Sequence, residues 1–431
     1  MIRQPTGYIA LLRRNKPFRR LWYGQVVSQL GDWFDSIALY ALLLRLTGSG
    51  QAVGLLLVAQ FLPSTIMGLW AGVLIDRLPR RLVMIVSDLG RALLVLLFLM
   101  VHDSSQIWIV YVVTVLKVML SSFFEPARTA IIPSVTTREE LVAANAIGGA
   151  TWSTMLAIGA GLGGLVAGTL GTSAAFIIDS ASFLLSALVI GSISVYESHL
   201  EQRTQTSGLH ELREGFAFMF SQRDIALYTM TKALWSLGGG VLLLLALFGR
   251  QLFPMGVDGA LSIGLLYAAR GVGAGIGPVL AQHWGGVSQR FLRRAIGPAF
   301  FFSAIGYLLF SRAPNIALAA GAVMLAHIGG SVEWVFSTAL LQMNVPNRLQ
   351  GRIFAVDLAL LTLASSISNY AIGVAADAGW PPRMLALIAA GVFVLPGAAL
   401  TLLLWPAPRG GEQVDPRREA KPREVVEPPI R

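Results

Sequence analysis

The sequence predicts an all-α membrane protein with twelve transmembrane helices in two pseudo-symmetric six-helix bundles. Three observations support this fold class. Only 13% of the 431 residues are charged and 55% are hydrophobic, whereas soluble domains carry about 25% charged residues. About twelve apolar stretches are long enough to cross a hydrocarbon core, which takes roughly 20 helical residues. The cations lie between these stretches and not along one face.

The first apolar stretch follows a basic segment and is predicted to remain as a transmembrane helix. It is too long for the apolar region of a cleaved signal sequence and has no obvious small-residue cleavage site. In chain order, the predicted spans cover residues 21 to 46, 51 to 75, 82 to 101, 106 to 126, 144 to 170, 173 to 195, 225 to 248, 260 to 283, 293 to 311, 315 to 340, 353 to 377 and 383 to 405.

The basic residues predict how these spans are oriented. With a cytoplasmic N-terminus, 25 of the 33 Lys and Arg residues lie in inner segments, and only Arg250, Arg312 and Arg383 lie in outer loops. Because inner loops of membrane proteins are enriched in Lys and Arg, both termini are predicted to be cytoplasmic. The net charge of +10 is thereby explained by topology, and no nucleic-acid partner is expected.

Weak internal repetition divides the chain into halves. The letters GLL at 54–56 recur at 264–266, which supports a duplication. Between spans 6 and 7, apolar residues at helical spacing predict an amphipathic helix on the inner surface. The predicted organisation is an N-terminal six-helix bundle at 1–196, a cytoplasmic linker with this helix at 197–223, a C-terminal six-helix bundle at 224–405 and a disordered cytoplasmic tail at 406–431.

The composition argues against an enzyme. The chain has no cysteine and five histidines, and these form neither a metal-ligand cluster nor a nucleophile triad. None of the four lysines follows a glycine as a phosphate-loop lysine does. We therefore expect no enzymatic activity, no metal, no cofactor and no direct use of ATP.

Glycines in the fifth span predict close helix packing. Gly159, Gly161 and Gly164 have the spacing of a dinucleotide fingerprint, but no strand precedes them, so this interpretation is rejected. Gly159 with Gly163, and Gly164 with Gly168, are pairs of small residues four apart. Such pairs let helix backbones approach closely in lipid.

A polar motif, GVLIDRLPRR at 72–81, follows the second span. It resembles the loop signature of the major facilitator superfamily of transporters. The family's glycine, acidic and basic positions are held by Gly72, Asp76, Arg77, Arg80 and Arg81. The resemblance implies a conformational latch, in which Asp76 meets the start of span 11 near Arg352 and Arg80 binds Glu125. The alternative is a simple cytoplasmic anchor.

Further phrases resemble the drug-efflux branch that includes macrolide exporters and the enterobactin exporter. They are QVVSQLGDWF, FFEPARTAIIPSV with REELVAANA, GLGGLVAG, and VPNRLQGRIFA. The resemblance implies a monomeric secondary transporter in a bacterial inner (plasma) membrane, with protons, the lipid bilayer and a small-molecule substrate as partners. By alternating access, this antiporter would export a drug, macrolide or siderophore and confer drug resistance. An importer, a lipid flippase or a non-transporting membrane sensor are the alternatives.

Ionisable residues inside the predicted spans are the candidate site. Each costs roughly 2.5–3.5 kcal/mol at the bilayer centre, so each needs a partner, a wet cavity or a function. By helical rise, Asp32 lies about 18 Å beyond Arg20 and close to mid-membrane. The resemblance implies a central cavity lined by spans 1, 4, 7 and 10. The candidate residues for proton coupling or the substrate cavity are Asp32, Asp35, Lys117, Lys232, Trp235, Arg270, His327 and Glu333.

Proton coupling requires a carboxylate that takes up a proton when dry and releases it when wet or paired. Asp32 is the first candidate and Glu333 the second, while Lys117 or Arg270 would face an anionic part of the cargo. The structural alternative is an ion pair such as Asp32 with Lys117, or Arg270 with a carboxylate. His327 is either a proton relay or an interior hydrogen-bonded residue.

Two further pairs are predicted to be structural. Asp88 and Arg91 lie three apart on one helical face, which suits a local ion pair. Asp179 near the end of span 6 is expected to reach Arg45 at the end of span 1. Trp235 either contacts an aromatic cargo or packs beside the glycines at 238–240.

Overall fold

A computed structural model describes residues 8–75, 78–137, 139–195, 208–238, 240–286 and 288–405. Within these ranges the chain is helical and contains no strand. Its helices are α1 (Tyr8–Arg14), α2 (Lys16–Thr47), α3 (Gly50–Ile75), α4 (Arg80–Leu96), α5 (Ile107–Val135), α6 (Leu141–Leu170), α7 (Thr172–Gly191), α8 (Gly208–Ser221), α9 (Arg223–Leu237), α10 (Val241–Leu247), α11 (Ala260–Gly285), α12 (Gln289–Arg312), α13 (Ile316–Asn344), α14 (Asn347–Asp377) and α15 (Pro382–Leu404).

Eleven helical segments within the described residues are long and apolar enough to cross a membrane. Helix α2, which contains the first predicted span, is not among them. It is 32 residues long, but polar and acidic residues interrupt its apolar sequence. These residues are Gln25, Ser28, Gln29, Asp32 and Asp35. The chain is thus a multi-pass membrane protein. Helix α2, which is too polar to be among the eleven segments, carries the first candidate residue, Asp32.

Side-chain caps determine where several of these helices begin. The Asn15 side chain accepts a hydrogen bond from the Phe18 amide at 2.9 Å and so caps α2. Asn315 accepts from the Leu318 amide at 3.0 Å at the start of α13. Each cap satisfies one of the amides that the first turn of a helix leaves without an intrahelical acceptor.

The seventh predicted span is not one continuous helix. The span predicted at 225–248 lies within one candidate membrane segment, Arg223–Leu252, but α9 ends at Leu237 and α10 begins at Val241 inside this segment. Gly240 adopts a φ of +57°, which glycine tolerates because it has no Cβ. An added Cβ would also lie 2.8 Å from the Ser368 carbonyl oxygen of α14. The break therefore depends on glycine and on close contact with α14.

Helices pack mainly on partners from the same half of the sequence. Helix α2 contacts α6 and α7, and α4 contacts α5 and α7. In the second half, α12 contacts α13 and α15, while α11 contacts α13 and α14 contacts α9. The largest contacts between the halves are those of α3 with α14 and of α6 with α11, and α2 also contacts α11 while α3 also contacts α10.

The candidate glycines of α6 lie at two helix contacts. A Cβ added to Gly159 would lie 2.9 Å from Trp33 of α2, and one added to Gly163 would lie 2.9 Å from the Trp33 carbonyl oxygen. On the opposite face, a Cβ on Gly164 would lie 2.6 Å from the Cα of Gly264 in α11, and one on Gly168 would lie 2.9 Å from the Leu261 amide of the same helix. One α6 face therefore contacts its own half and the other contacts the second half.

We expect Gly164→Val to weaken the contact between α6 and α11, because its Cβ would lie 2.6 Å from a backbone carbon atom. Overpacking of this kind costs about 1–3 kcal/mol. The measurement is the thermal unfolding of the purified protein in detergent. Gly149→Val is the matched control, since an added Cβ meets no atom within 4 Å there. Equal melting temperatures of both variants would contradict the prediction.

Helix α8 occupies the region where the sequence predicts an amphipathic helix. It packs against α14, α9 and α3. Met219 is buried while Phe220 is 72% exposed, so only part of its apolar face is covered. The remaining linker residues at 197–207 and the tail at 406–431 lie outside the described residues.

Candidate functional site

A buried charge network joins four helices of the first half. It is centred on Lys117 of α5, whose Nζ lies 3.0 Å from Asp32 Oδ1 and 3.8 Å from Asp179 Oδ2. The same ammonium group forms an ion pair with Asp35. The network consists of Asp32 and Asp35 of α2, Asp88 and Arg91 of α4, Lys117, and Asp179 of α7.

Arg91 is the second cation of this network. It pairs with Asp88 on its own helix, as the sequence predicts, and its Nη1 lies 3.5 Å from Asp32 Oδ2. Its guanidinium stands over the rings of Phe124 at 4.8 Å and Phe183 at 4.3 Å. Asp32 therefore connects the two cations.

Asp32 is the carboxylate of the network that reaches solvent. Its side chain is 35% exposed, whereas those of Asp35 and Asp179 are 2% and 0% exposed. Asp32 and Arg91 border a cavity of about 450 Å³. Other residues around this cavity include Gln25, Gln29, Glu125, Arg128 and Trp152. A polar cavity thus ends at a buried charge network, and Asp32 is the carboxylate where they meet.

The network contains more acids than bases. Four carboxylates face two cations, so the network has a net charge of −2 when all six groups are ionised. A low-dielectric interior strengthens the repulsion among the carboxylates. Binding a proton reduces this repulsion, so the cluster is chemically able to exchange protons with the cavity.

A second buried charge group lies in the other half. Lys232 of α9 forms an ion pair with Asp357 of α14, and its Nζ lies 5.0 Å from the centre of the Trp334 ring. Glu333 of α13 is fully buried, and neither of its carboxylate oxygens has a hydrogen-bond partner. Its charged neighbours are Lys232 and Asp357.

Asp357 is a functional candidate that the sequence analysis missed. It lies within the predicted span 353–377. The sequence could have identified it, because a carboxylate inside a membrane span needs a partner. Lys232, itself a candidate residue, provides this partner in the structure.

Trp235, His327 and Arg270 lie near a group of aromatic rings. Trp235 donates a hydrogen bond to Ser303 Oγ at 3.0 Å, and its ring centre lies 5.6 Å from that of His327. His327 Nδ1 lies 2.9 Å from the Val323 carbonyl oxygen. Arg270 faces the ring of Tyr267 at 5.9 Å. No carboxylate within the described ranges pairs with Arg270, so the ion pair considered for it is not found there.

One predicted ion pair, Asp179 with Arg45, is wrong, and another, Arg80 with Glu125, is expected in the outward-open state and is not formed in this structure. Glu125 pairs with Arg128, three residues along α5, at 2.8 Å, while Arg80 donates to the Ala130 carbonyl oxygen at 2.8 Å. Asp179 lies at Lys117, whereas Arg45 pairs with Asp258 at 3.1 Å. Spacing along the sequence does not specify such contacts between helices.

The other candidate latch residues lie at the ends of α3 and α4. Gly72 lies within α3, while Asp76 and Arg77 lie outside the described residues. Arg81 donates to the carbonyl oxygens of Ile190, at 3.3 Å, and Gly191. These contacts attach the start of α4 to the end of α7.

At the opposite end of α2 and α3, polar contacts connect the two halves. The Gly50 amide donates to Asp377 Oδ1 at 2.6 Å, and Gln51 Nε2 donates to Tyr370 Oη at 2.6 Å. Together with the pair of Arg45 and Asp258, they join the two halves at this end. The α2 residues that line the cavity are Gln25, Ser28, Gln29 and Asp32, which lie nearer the start of that helix.

Comparisons with known proteins find transporters among the proteins similar to this chain. A family model described as transmembrane secretion effector matches residues 6–428. The putative bacilysin exporter BacE of Bacillus subtilis is 26% identical over 82% of this chain and 87% of the relative. Macrolide efflux protein A of Streptococcus pyogenes is 24% identical over 81% of this chain and 87% of the relative.

Other likenesses cover part of a relative or concern the fold alone. The chain spans about half the length of YfiS, an uncharacterized MFS-type transporter of Bacillus subtilis, with 27% identity over 48% of this chain and 50% of the relative. A crystal structure of a mutant nucleoside transporter NupG superposes with a TM-score of 0.72 at 11% identity, over 90% of this chain and 99% of that chain.

Proposed function

Because the chain belongs to the transmembrane secretion effector family of major facilitator transporters, we propose that it exports an amphipathic small molecule in exchange for protons. The predicted resemblance to this superfamily and its efflux branch is confirmed. The prediction that the chain is not an enzyme is confirmed too, because the family and its relatives are transporters.

The partial exposure of Asp32 is the observation that carries the proposal. Asp32 contacts Lys117 and Arg91 and borders the polar cavity. A proton taken up there neutralises the carboxylate and weakens its hold on both cations. Loss of the proton restores these ion pairs, so protonation and the packing of α2 against α4 and α5 depend on each other.

The contacts between the halves support alternating access. The polar contacts from Gly50 and Gln51 close the end that topology assigns to the outside, while the cavity opens toward the predicted cytoplasmic end. We assign this arrangement to an inward-open state of a monomer with both termini cytoplasmic. The α6–α11 and α3–α14 contacts would then be where two six-helix bundles rock against each other.

Glu333 is the second proposed proton site. Its buried oxygens have no hydrogen-bond partner, and Lys232 and Asp357 are its charged neighbours. Two acidic clusters, one in each half, would allow proton uptake from one side and release to the other as the bundles exchange orientation. The motif at 72–81 would stabilise the opposite, outward-open state as a latch.

Reconstituted vesicles test the proposed function. With the purified chain in liposomes and an imposed pH gradient, we expect a macrolide panel to evoke proton flux measured with a pH-sensitive dye. Labelled macrolide should move against the proton flow in the outward direction. Movement only inward would indicate an importer, movement of labelled phospholipid would indicate a flippase, and absence of cargo-dependent proton flux would contradict proton exchange.

A further inference from the structure

Arg270 differs from the other cations predicted within the spans in having no carboxylate partner. Within the described residues, ion pairs hold Arg45, Arg91, Lys117 and Lys232. The ionisable neighbours of Arg270 are Tyr40, Tyr267, Tyr307 and His327. A guanidinium in a membrane interior is unfavourable without a counter-charge. The unpaired state of Arg270 therefore requires an explanation.

Three buried polar atoms around this cation have no hydrogen-bond partner. They are Arg270 Nε on α11, Tyr307 Oη on α12 and His327 Nε2 on α13. Tyr307 and His327 are 0% and 4% exposed, and their ring centres lie 6.1 Å apart. Buried polar groups are normally paired, and an orphan is destabilising. Three orphans from three helices in one region indicate a missing polar partner.

The chemistry of Arg270 and Tyr307 defines the partner that they lack. Arg270 only donates, and Tyr307 has a hydroxyl hydrogen to donate, so both groups need an acceptor. His327 donates its Nδ1 hydrogen to the Val323 carbonyl oxygen, so Nε2 of the neutral ring is itself an acceptor and does not belong to this pair of donors. A guanidinium fork matches a carboxylate with two parallel hydrogen bonds. The single full positive charge matches a monoanion better than a phosphate monoester, whose charge is about −1.5 to −2.

Aromatic rings surround the same position. The ring centre of Tyr267 lies 5.6 Å from Tyr40 and 6.1 Å from Trp33. The ring of Trp235 lies 5.6 Å from that of His327. Such faces contact a flat apolar group favourably while the cation holds an anionic end.

We propose that Arg270 and Tyr307 bind the carboxylate of the transported molecule, and that Tyr40, Tyr267 and Trp235 contact its ring portion. This inference rests on the proposed transport function and specifies its substrate class as aromatic or ring-bearing monocarboxylates. Lys117 is excluded from this role because three carboxylates already surround it.

Binding of defined probes to the full chain tests the site without a proton gradient. The probes are 2-naphthoate, the neutral 2-naphthalenemethanol and 2-naphthyl phosphate, measured by calorimetry in detergent. We expect 2-naphthoate to bind about tenfold or more tightly than the alcohol, the effect of one charge-assisted contact. Arg270→Gln should remove this preference and leave binding of the alcohol unchanged. Arg312→Gln, at an exposed arginine of α12, is the control and should retain it.

Tyr307→Phe keeps the ring and removes only the unpartnered hydroxyl, so it tests the site even if Arg270→Gln does not fold. It should weaken 2-naphthoate binding severalfold without affecting the alcohol. Equal binding of 2-naphthoate and the alcohol by the wild type, including no binding of either, would overturn the proposal. Tighter binding of the phosphate would overturn the carboxylate assignment. Loss of proton flux with intact probe selectivity would instead contradict only the proposed transport function.

Discussion

Replacing Asp32 by asparagine is expected to abolish transport driven by a pH gradient while leaving the protein folded. The amide has nearly the same volume and retains an acceptor for Lys117, which lies 3.0 Å from Asp32. It cannot gain or lose a proton in the relevant range. Because Asp32 is the partly exposed carboxylate of the network, this substitution removes the group that exchanges protons with the cavity.

Inside-out vesicles with imposed pH gradients provide the measurement. Asp32→Asn should lose gradient-driven accumulation of a labelled macrolide but retain exchange of labelled for unlabelled macrolide, because exchange needs no net proton movement. Asp103→Asn is the control, since Asp103 is an exposed carboxylate outside the network. Gradient-driven transport that survives in Asp32→Asn, or is lost equally in Asp103→Asn, would contradict the role assigned to Asp32.

The positions of the helices were largely predictable from the sequence. Apolar length and the distribution of Lys and Arg depend on local composition, and the described part of the chain contains eleven long apolar helical segments. The break in the seventh span was not predicted, because glycine is common in transmembrane helices. Only the contact of Gly240 with α14 distinguishes a helix break there from an uninterrupted span.

Which residues contact each other in the candidate site was less predictable than how deep they lie in the membrane. Helical rise places Asp32 and Lys117 deep in the membrane, and they meet in the structure. Asp179, however, was expected at Arg45 and lies at Lys117. Tyr307 was not a candidate at all. Its significance arises from its position beside Arg270 and His327, which are on different helices, and a single sequence does not specify such contacts.

Replacing Lys117 by methionine is expected to prevent most of the protein from folding. The substitution keeps most of the apolar stem of the side chain but removes the positive charge that Asp32, Asp35 and Asp179 share. Removing one partner of a buried ion pair costs about 3–5 kcal/mol. Total stabilities are only about 5–15 kcal/mol, so this loss is large.

A second substitution should restore part of that stability. Asp35 is 2% exposed and pairs directly with Lys117, so Lys117→Met combined with Asp35→Asn removes both members of the buried pair. We expect the yield of monodisperse protein and its melting temperature in detergent to be higher for this double variant than for Lys117→Met alone. Asp103→Asn, at an exposed carboxylate that caps a turn between α4 and α5, should not rescue. A wild-type melting temperature for Lys117→Met would show that the three aspartates do not need this cation to remain buried. Protonation of Asp32 would then not weaken any stabilising ion pair, and the proposed coupling of protonation to helix packing would be contradicted.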